Sequence, residues 1–152
     1  MKPGNTNLVR LQNIEIMYNL PEGVHIYAKD ESSNPSGSIK DRAVYNMLLE
    51  YKKEHKLKKG SLIVEATSGN TGISLAYFAK EFNYRVIIVM PESASIERRK
   101  MIEGFGGELC LVSGGMKECN EKAHEIVNSN ENAFIFDQSG IILRNLWSYS
   151  RP

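Results

Sequence analysis

From residue 60 onward the chain repeats one pattern, and this repeat constrains its fold more than any other feature: a short apolar run, a turn of small residues, then an amphipathic stretch. Leu62-Ile63-Val64 and Val86-Ile87-Ile88-Val89-Met90 are continuous apolar runs, the pattern of strands covered on both faces. Leu109-Cys110-Leu111-Val112 and Phe134-Ile135-Phe136 supply two more strands. Helical spacing predicts helices near 71–82, 95–105 and 116–129, the second capped by Ser95 and closed at Gly106. Alternating strands and helices predict an α/β fold of three layers, a mostly parallel sheet with helices on both faces and right-handed crossovers. Residues 24–29 alternate apolar and polar and predict a half-buried strand. Residues 1–23 are poorly periodic, and little structure is expected there.

In an open sheet of this kind, ligands gather at the carboxyl ends of the strands. The least ordinary loop of the chain falls there: Ala66-Thr67-Ser68-Gly69-Asn70-Thr71-Gly72, between a strand and a helix. Its glycines allow close backbone approach, and its hydroxyls and amide add donors to the free N–H groups of the helix start. On these grounds it is an anion cradle, or else a capped strand-to-helix turn with no ligand. Its spacing is neither that of a P-loop nor G-x-G-x-x-G, so no nucleotide is indicated.

A second turn precedes it, Asn34-Pro35-Ser36-Gly37-Ser38-Ile39-Lys40-Asp41-Arg42. Asn34-Pro35 and Ser36-Gly37 are turn dipeptides, and Ser38 with Asp41 three residues on resembles a shortened capping box. Val44, Met47, Leu48 and Tyr51 then form a buried helical stripe. Lys40 thus projects from the first turn of a helix, where the dipole disfavours a further positive charge and favours the neutral amine. A neutral amine is the form that attacks an aldehyde, which points to carbonyl or pyridoxal chemistry; a solvated surface turn is the alternative.

Nineteen basic and eighteen acidic residues leave a formal charge of +1, without a basic block or a stripe of aromatics. Neither nucleic acid nor a membrane is an expected partner, and no apolar run reaches the length of a membrane span. Met1 to Arg10 is polar, so no signal peptide is expected. Cys110 and Cys119 are not in a Cys-x-x-Cys pair and read as buried thiols, which suits a reducing cytoplasm. His25, His55 and His124 lack metal-ligand spacing, so no metal is expected.

The run NPSGSIKDR resembles the cofactor-lysine motif of the cysteine synthase family, the β-replacement branch of fold-type II pyridoxal-phosphate enzymes, which usually reads NP(A/G)GS(V/I)KDR. Residues 4–11 resemble the family's opening GNTPLVRL, with Asn7 where proline is usual. Thr-Ser-Gly-Asn-Thr-Gly at 67–72 is similar to the substrate-carboxylate loop, with Ala66 in place of a proline. The segment from Met90-Pro91-Glu92 to Glu97-Arg98-Arg99 resembles a structural MPE…ERR stretch, with Arg98 and Arg99 on a solvated helix face. Phe136-Asp137-Gln138 resembles a strand end whose glutamine reaches the substrate.

The resemblance implies pyridoxal 5'-phosphate carried by Lys40, with Asn70 bonded to its ring oxygen. It also implies that Thr67, Ser68, Gly69, Thr71 and Gln138 hold the carboxylate of a small amino-acid substrate. The reaction implied is β-replacement, O-acetylserine and sulfide giving cysteine and acetate. Cystathionine β-synthase, a serine or threonine dehydratase, or an inactive fragment that binds an amino acid or a partner are the alternatives. A homodimer and a serine acetyltransferase tail are the partners implied. The match spans residues 4–138 and about the first half of a family member. The expected organisation is a segment 1–33 that pairs with a second domain, an α/β domain 34–138 and an atypical tail 139–152. No GTGGT-like phosphate loop occurs in the sequence, so a truncated form without the C-terminal domain is expected.

Overall fold

Two sheets carry the fold in the computed structural model, which describes residues 1–54 and 56–136. Strands β1 (Leu8–Arg10) and β2 (Tyr27–Lys29) pair antiparallel as a separate ribbon, with Val9 opposite Ala28 and helix α1 (Gln12–Met17) between them in sequence. Helix α2 (Lys40–Lys53) leads into β3 (Leu62–Ala66), α3 (Asn70–Glu81), β4 (Arg85–Pro91), α4 (Ile96–Gly104), β5 (Glu108–Val112), α5 (Met116–Asn128) and β6 (Ala133–Ile135). The last four strands form one parallel sheet in the order β5-β4-β3-β6, with Val64 opposite both Ile87 and Ile135.

The alternation of side chains along each strand divides the core in two. Ile63, Val86, Ile88 and Met90 pack with Val44 and Leu48 of α2, Phe78 of α3 and Ile102 of α4. Leu62, Val64 and Val89 point the other way, onto Cys119 and Ala123 of α5. Helices therefore cover both faces, and the continuous apolar runs of β3 and β4 are explained: neither face meets water. The route from β3 through β4 to β5 steps one way with α3 and α4 on one face, then returns to β6 with α5 on the other. A reversal of direction with a change of face keeps a single crossover hand. It also makes β3 the strand whose two neighbours are reached in opposite directions, the position that opens a crevice at its carboxyl end.

Helix ends follow local chemistry. Ser95 accepts from the Arg98 N–H at 3.3 Å, capping α4. At the other end Gly106, at φ +91°, donates to Glu103 O while Gly107 donates to Ile102 O, a paired stop that needs the left-handed conformation glycine adopts freely.

Two expectations are corrected. Residues 1–23 are not featureless, and the strand expected over 24–29 is confined to Tyr27–Lys29 and belongs to the ribbon with β1, apart from the main sheet. The segment lacked a periodic signal because a polar cluster holds it. Buried Glu15 accepts from Arg10 Nη2 at 2.8 Å and from the Ile26 N–H at 2.8 Å, and His25 Nδ1 lies 2.6 Å from Arg10 Nη2. The Arg10 guanidinium holds the Glu15 carboxyl down at about 2, against the opposing effect of burial. Leu8, Ile16, Met17, Tyr18 and Tyr27 of this segment are exposed.

Candidate functional site

The lysine turn is built by hydrogen bonds that run well beyond its own sequence. Gly37 donates to Asn34 O at 2.8 Å and takes φ +88°, closing a turn with Pro35 at its second position. Ser38 Oγ then accepts from the Lys40 N–H at 3.2 Å, but the N-cap of α2 is Ile39 and carries no side-chain cap, so the expected Ser38 N-cap is corrected: Ser38 stands one residue outside the helix start. Asp41, however, does not complete a capping box with it. Its carboxylate turns back and accepts from the Ser36 N–H at 2.7 Å, from the Ser36 hydroxyl, and from Ser74 Oγ at 2.5 Å. Ser36 Oγ and Ser74 Oγ are themselves 2.9 Å apart. Asp41 and Ser74 are fully buried, and a carboxylate out of water must be met by donors, which these two serines supply.

Arg42, next in sequence, faces Glu31 in a two-pronged pair, Nε to Oε2 at 2.7 Å and Nη2 to Oε1 at 2.8 Å. Thr6 Oγ1 and Asn34 Nδ2 donate to the same carboxylate at 2.9 and 2.7 Å, and the Gly4 N–H donates to Asn34 Oδ1 at 2.9 Å. The Arg42 guanidinium is the main cause that holds Glu31 down at about 2, with Asn34 and Thr6 assisting against burial. The opening residues 4–6 are thereby tied to the lysine turn.

The second loop leaves β3 at its carboxyl end. The Thr67 N–H donates to Val89 O at 3.0 Å, Thr67 Oγ1 accepts from the Gly69 N–H at 3.3 Å, and Asn70 opens α3. The N-cap of α3 is Gly69, in extended backbone and with no side-chain cap, so the first N–H groups of a twelve-residue helix receive no side-chain acceptor from it. The start of α5 differs, since Glu118 reaches back to the Gly115 N–H at 2.7 Å. Thr67, Ser68 and Gly69 are half-buried, Asn70 is exposed and Thr71 is buried. Gly72 lies where an added Cβ would come within 3.0 Å of Thr67 Cγ2 and 3.1 Å of Ile88 Cγ2, so this turn presses closely onto the sheet.

Thr67, Ser68, Gly69, Asn70 and Thr71 thus share one loop, and Lys40 opens the helix that packs along α3. The link between the two elements is specific: Asp41, the neighbour of Lys40, bonds Ser74, one helical turn beyond Asn70. Gln138 lies outside the described residues, as do residues 139–152; β6, which precedes them, ends beside β3. Arg98 is exposed, as expected of a solvated face, and from there its Nη1 donates to Ser68 O at 3.2 Å, a link from α4 to the loop. Sequence reading missed Glu31, Ser36, Ser74 and the role of Asp41; a serine two residues into a turn and another inside an apolar helix carry no local signal of a shared partner. Among the described residues, no group of three or more His, Cys, Asp or Glu could hold a metal ion, and no helix is long and apolar enough to cross a membrane.

Comparison with known proteins agrees with this architecture. Cysteine synthase of Buchnera aphidicola subsp. Schizaphis graminum is 47% identical over 134 residues, which are 87% of this chain and 39% of that protein. A solved cysteine synthase from Entamoeba histolytica superposes with a TM-score of 0.82 at 37% identity, covering 88% of this chain and 40% of the other. A solved hydrogen sulfide-producing enzyme from Fusobacterium nucleatum gives 0.80 at 42% identity, covering 90% and 44%. The chain spans about two-fifths of the length of the curated relatives it matches. The three-layer α/β fold is the one these fold-type II enzymes share. With residues 1–147 matching its characteristic sequence pattern, the chain belongs to the pyridoxal-phosphate dependent enzyme family.

Proposed function

We propose that this chain carries the lysine and the carboxylate loop of a cysteine synthase-type site, in which the Cβ–O bond of O-acetylserine breaks, its acetoxy group leaves as acetate, and sulfide bonds to Cβ in its place. The observation that carries the reading is the Asp41–Ser74 hydrogen bond, which ties the helix opened by Lys40 to the helix opened by Asn70. The relatives' names, cysteine synthase, support cysteine as the product.

The residues fit pyridoxal phosphate. A primary amine stands on a turn secured by hydrogen bonds, and the helix packed along its own starts at Gly69 without a side-chain cap, a helix N-terminus of the kind that favours an anion. When bound, that group supplies an aldehyde that captures an amine and a conjugated ring that takes up the electron pair left on the substrate α-carbon. Lys40 Nζ would be the amine that holds the group and, when free, would move a proton to and from the substrate α-carbon. Thr67, Ser68 and Thr71, with the N–H groups at the start of α3, hold the substrate carboxylate against the positive end of the helix dipole. Asn70 would help hold the group through its ring oxygen, and Gln138 would add a donor to the substrate carboxylate. Gly69 lets the ligand approach the backbone.

The proposal extends to a homodimer, to a serine acetyltransferase tail at the carboxylate loop, and to a cytoplasmic setting. It also pairs residues 1–33 with a second domain, for which the exposed Leu8, Ile16, Met17 and Tyr18 are the support. The test is borohydride reduction in the presence of pyridoxal phosphate, followed by peptide mapping. Label concentrated on Lys40 and lost in Lys40→Ala is expected; label spread evenly over surface lysines would refute the assignment.

A further inference from the structure

We infer that Asp41 is a positioning residue that sets where Lys40 stands relative to the loop at 67–71. The inference rests on the reading of Lys40 as the cofactor lysine. Asp41 is fully buried, yet among the described residues it has no ion-pair partner; Arg42, beside it, directs its guanidinium to Glu31 and Thr6. Its charge is met by three donors, two from Ser36 and one from Ser74.

An aspartate that merely favoured the helix start through the dipole could do so from solvent. Burial between two helices is costly for a carboxylate and demands a fixed geometry from its donors. The donors come from both sides: Ser36 belongs to the turn before α2 and Ser74 to the second turn of α3. A slip of α2 by one residue against α3 would move Asp41 by about 1.5 Å along the helix axis and roughly 100° around it, breaking its bond to Ser74. The carboxylate therefore locks the register of α2 against α3. Lys40, one residue away, and Asn70, one turn before Ser74, inherit that register.

Two variants separate positioning from folding. Ser74→Ala removes the cross-helix donor and leaves the turn before α2 intact, while Asp41→Asn keeps the shape and removes the charge. Each is treated, as the 152-residue chain, with pyridoxal 5'-phosphate and borohydride, and in parallel with formaldehyde and borohydride, a small probe that needs no second contact. The readout is label on Lys40 relative to the exposed Lys80 and Lys100. Both variants should lower the Lys40 preference for pyridoxal phosphate about tenfold or more while formaldehyde labelling changes by less than about twofold, since misplacement of a reacting group costs selectivity more than access. If the unsubstituted chain shows no Lys40 preference, the cofactor-lysine reading and this inference fall together. If it shows the preference and both variants keep it, or if both probes change in parallel as unfolding would cause, the positioning role alone is overturned.

Discussion

Gly72→Ala tests how tightly the loop at 67–71 is pressed onto the sheet. Two effects oppose each other. Alanine in place of a helical glycine stabilises by roughly 0.5–1 kcal/mol through the backbone entropy of the unfolded chain. The added Cβ, however, would sit 3.0 Å from Thr67 Cγ2, 3.1 Å from Ile88 Cγ2 and 3.5 Å from Ile102 Cδ1, where ordinary contact begins at 3.4 Å. Ile88 and Ile102 are fully buried and have nowhere to move. Thr67 could turn about its side-chain bond, but Oγ1 would then leave the Gly69 N–H that it accepts from at 3.3 Å. Overpacking of this kind costs about 1–3 kcal/mol, so the net expectation is a loss of about 1 kcal/mol. Urea unfolding should show it directly, and Tm should fall by about 2–4 °C for a chain of this size. Thr67→Ser removes the closest atom and keeps the hydroxyl, so in the Gly72→Ala background it should recover about 0.5 kcal/mol or more as a coupling energy. An unchanged or raised Tm, with the two substitutions strictly additive, would show that the loop is not packed on Ile88 as described.

Three further outcomes are expected. Ile102→Ala, which empties a fully buried position against α3, should cost about 2–5 kcal/mol in urea unfolding, well above the half-exposed Met101→Ala control. Because Arg42 holds Glu31 at about 2, below the usual 4.5, its contribution to stability is complete above about pH 5 and is lost as the pH falls through that window; Glu31→Gln should flatten this acid limb of a stability profile measured by urea unfolding, and an unaltered limb would exclude Glu31 as its source. Burial, with Glu118 and Cys110 adding to it, pushes the Cys119 thiol up, so iodoacetamide should modify the half-buried Cys110 first in the native protein and both at similar rates in urea, as mass spectrometry would show.

The elements whose residues report their own burial could be read from the sequence by itself. Continuous apolar runs at 62–64 and 86–90 meant strands covered on both faces, Ser95 and Gly106 marked the ends of α4, and the stripe Val44, Met47, Leu48 and Tyr51 marked a helix with one buried side. The motifs around Lys40 and 67–72 were legible for the same reason: each is local, a turn followed by a helix start. Only the tertiary structure decided that, among the described residues, α5 is the helix that covers the second face, that β2 leaves the main sheet for β1, and that the Asp41 carboxylate accepts from Ser74 and not from Ser38. Nothing in a local pattern can state these, because a hydrogen bond across thirty or more residues depends on the angle and register at which two helices pack. Glu31, Thr6 and Arg42 are ordinary polar residues in sequence; they become one network only when the fold brings residue 6, residue 31 and residue 42 to the same point, where a partly buried charge must find every donor available.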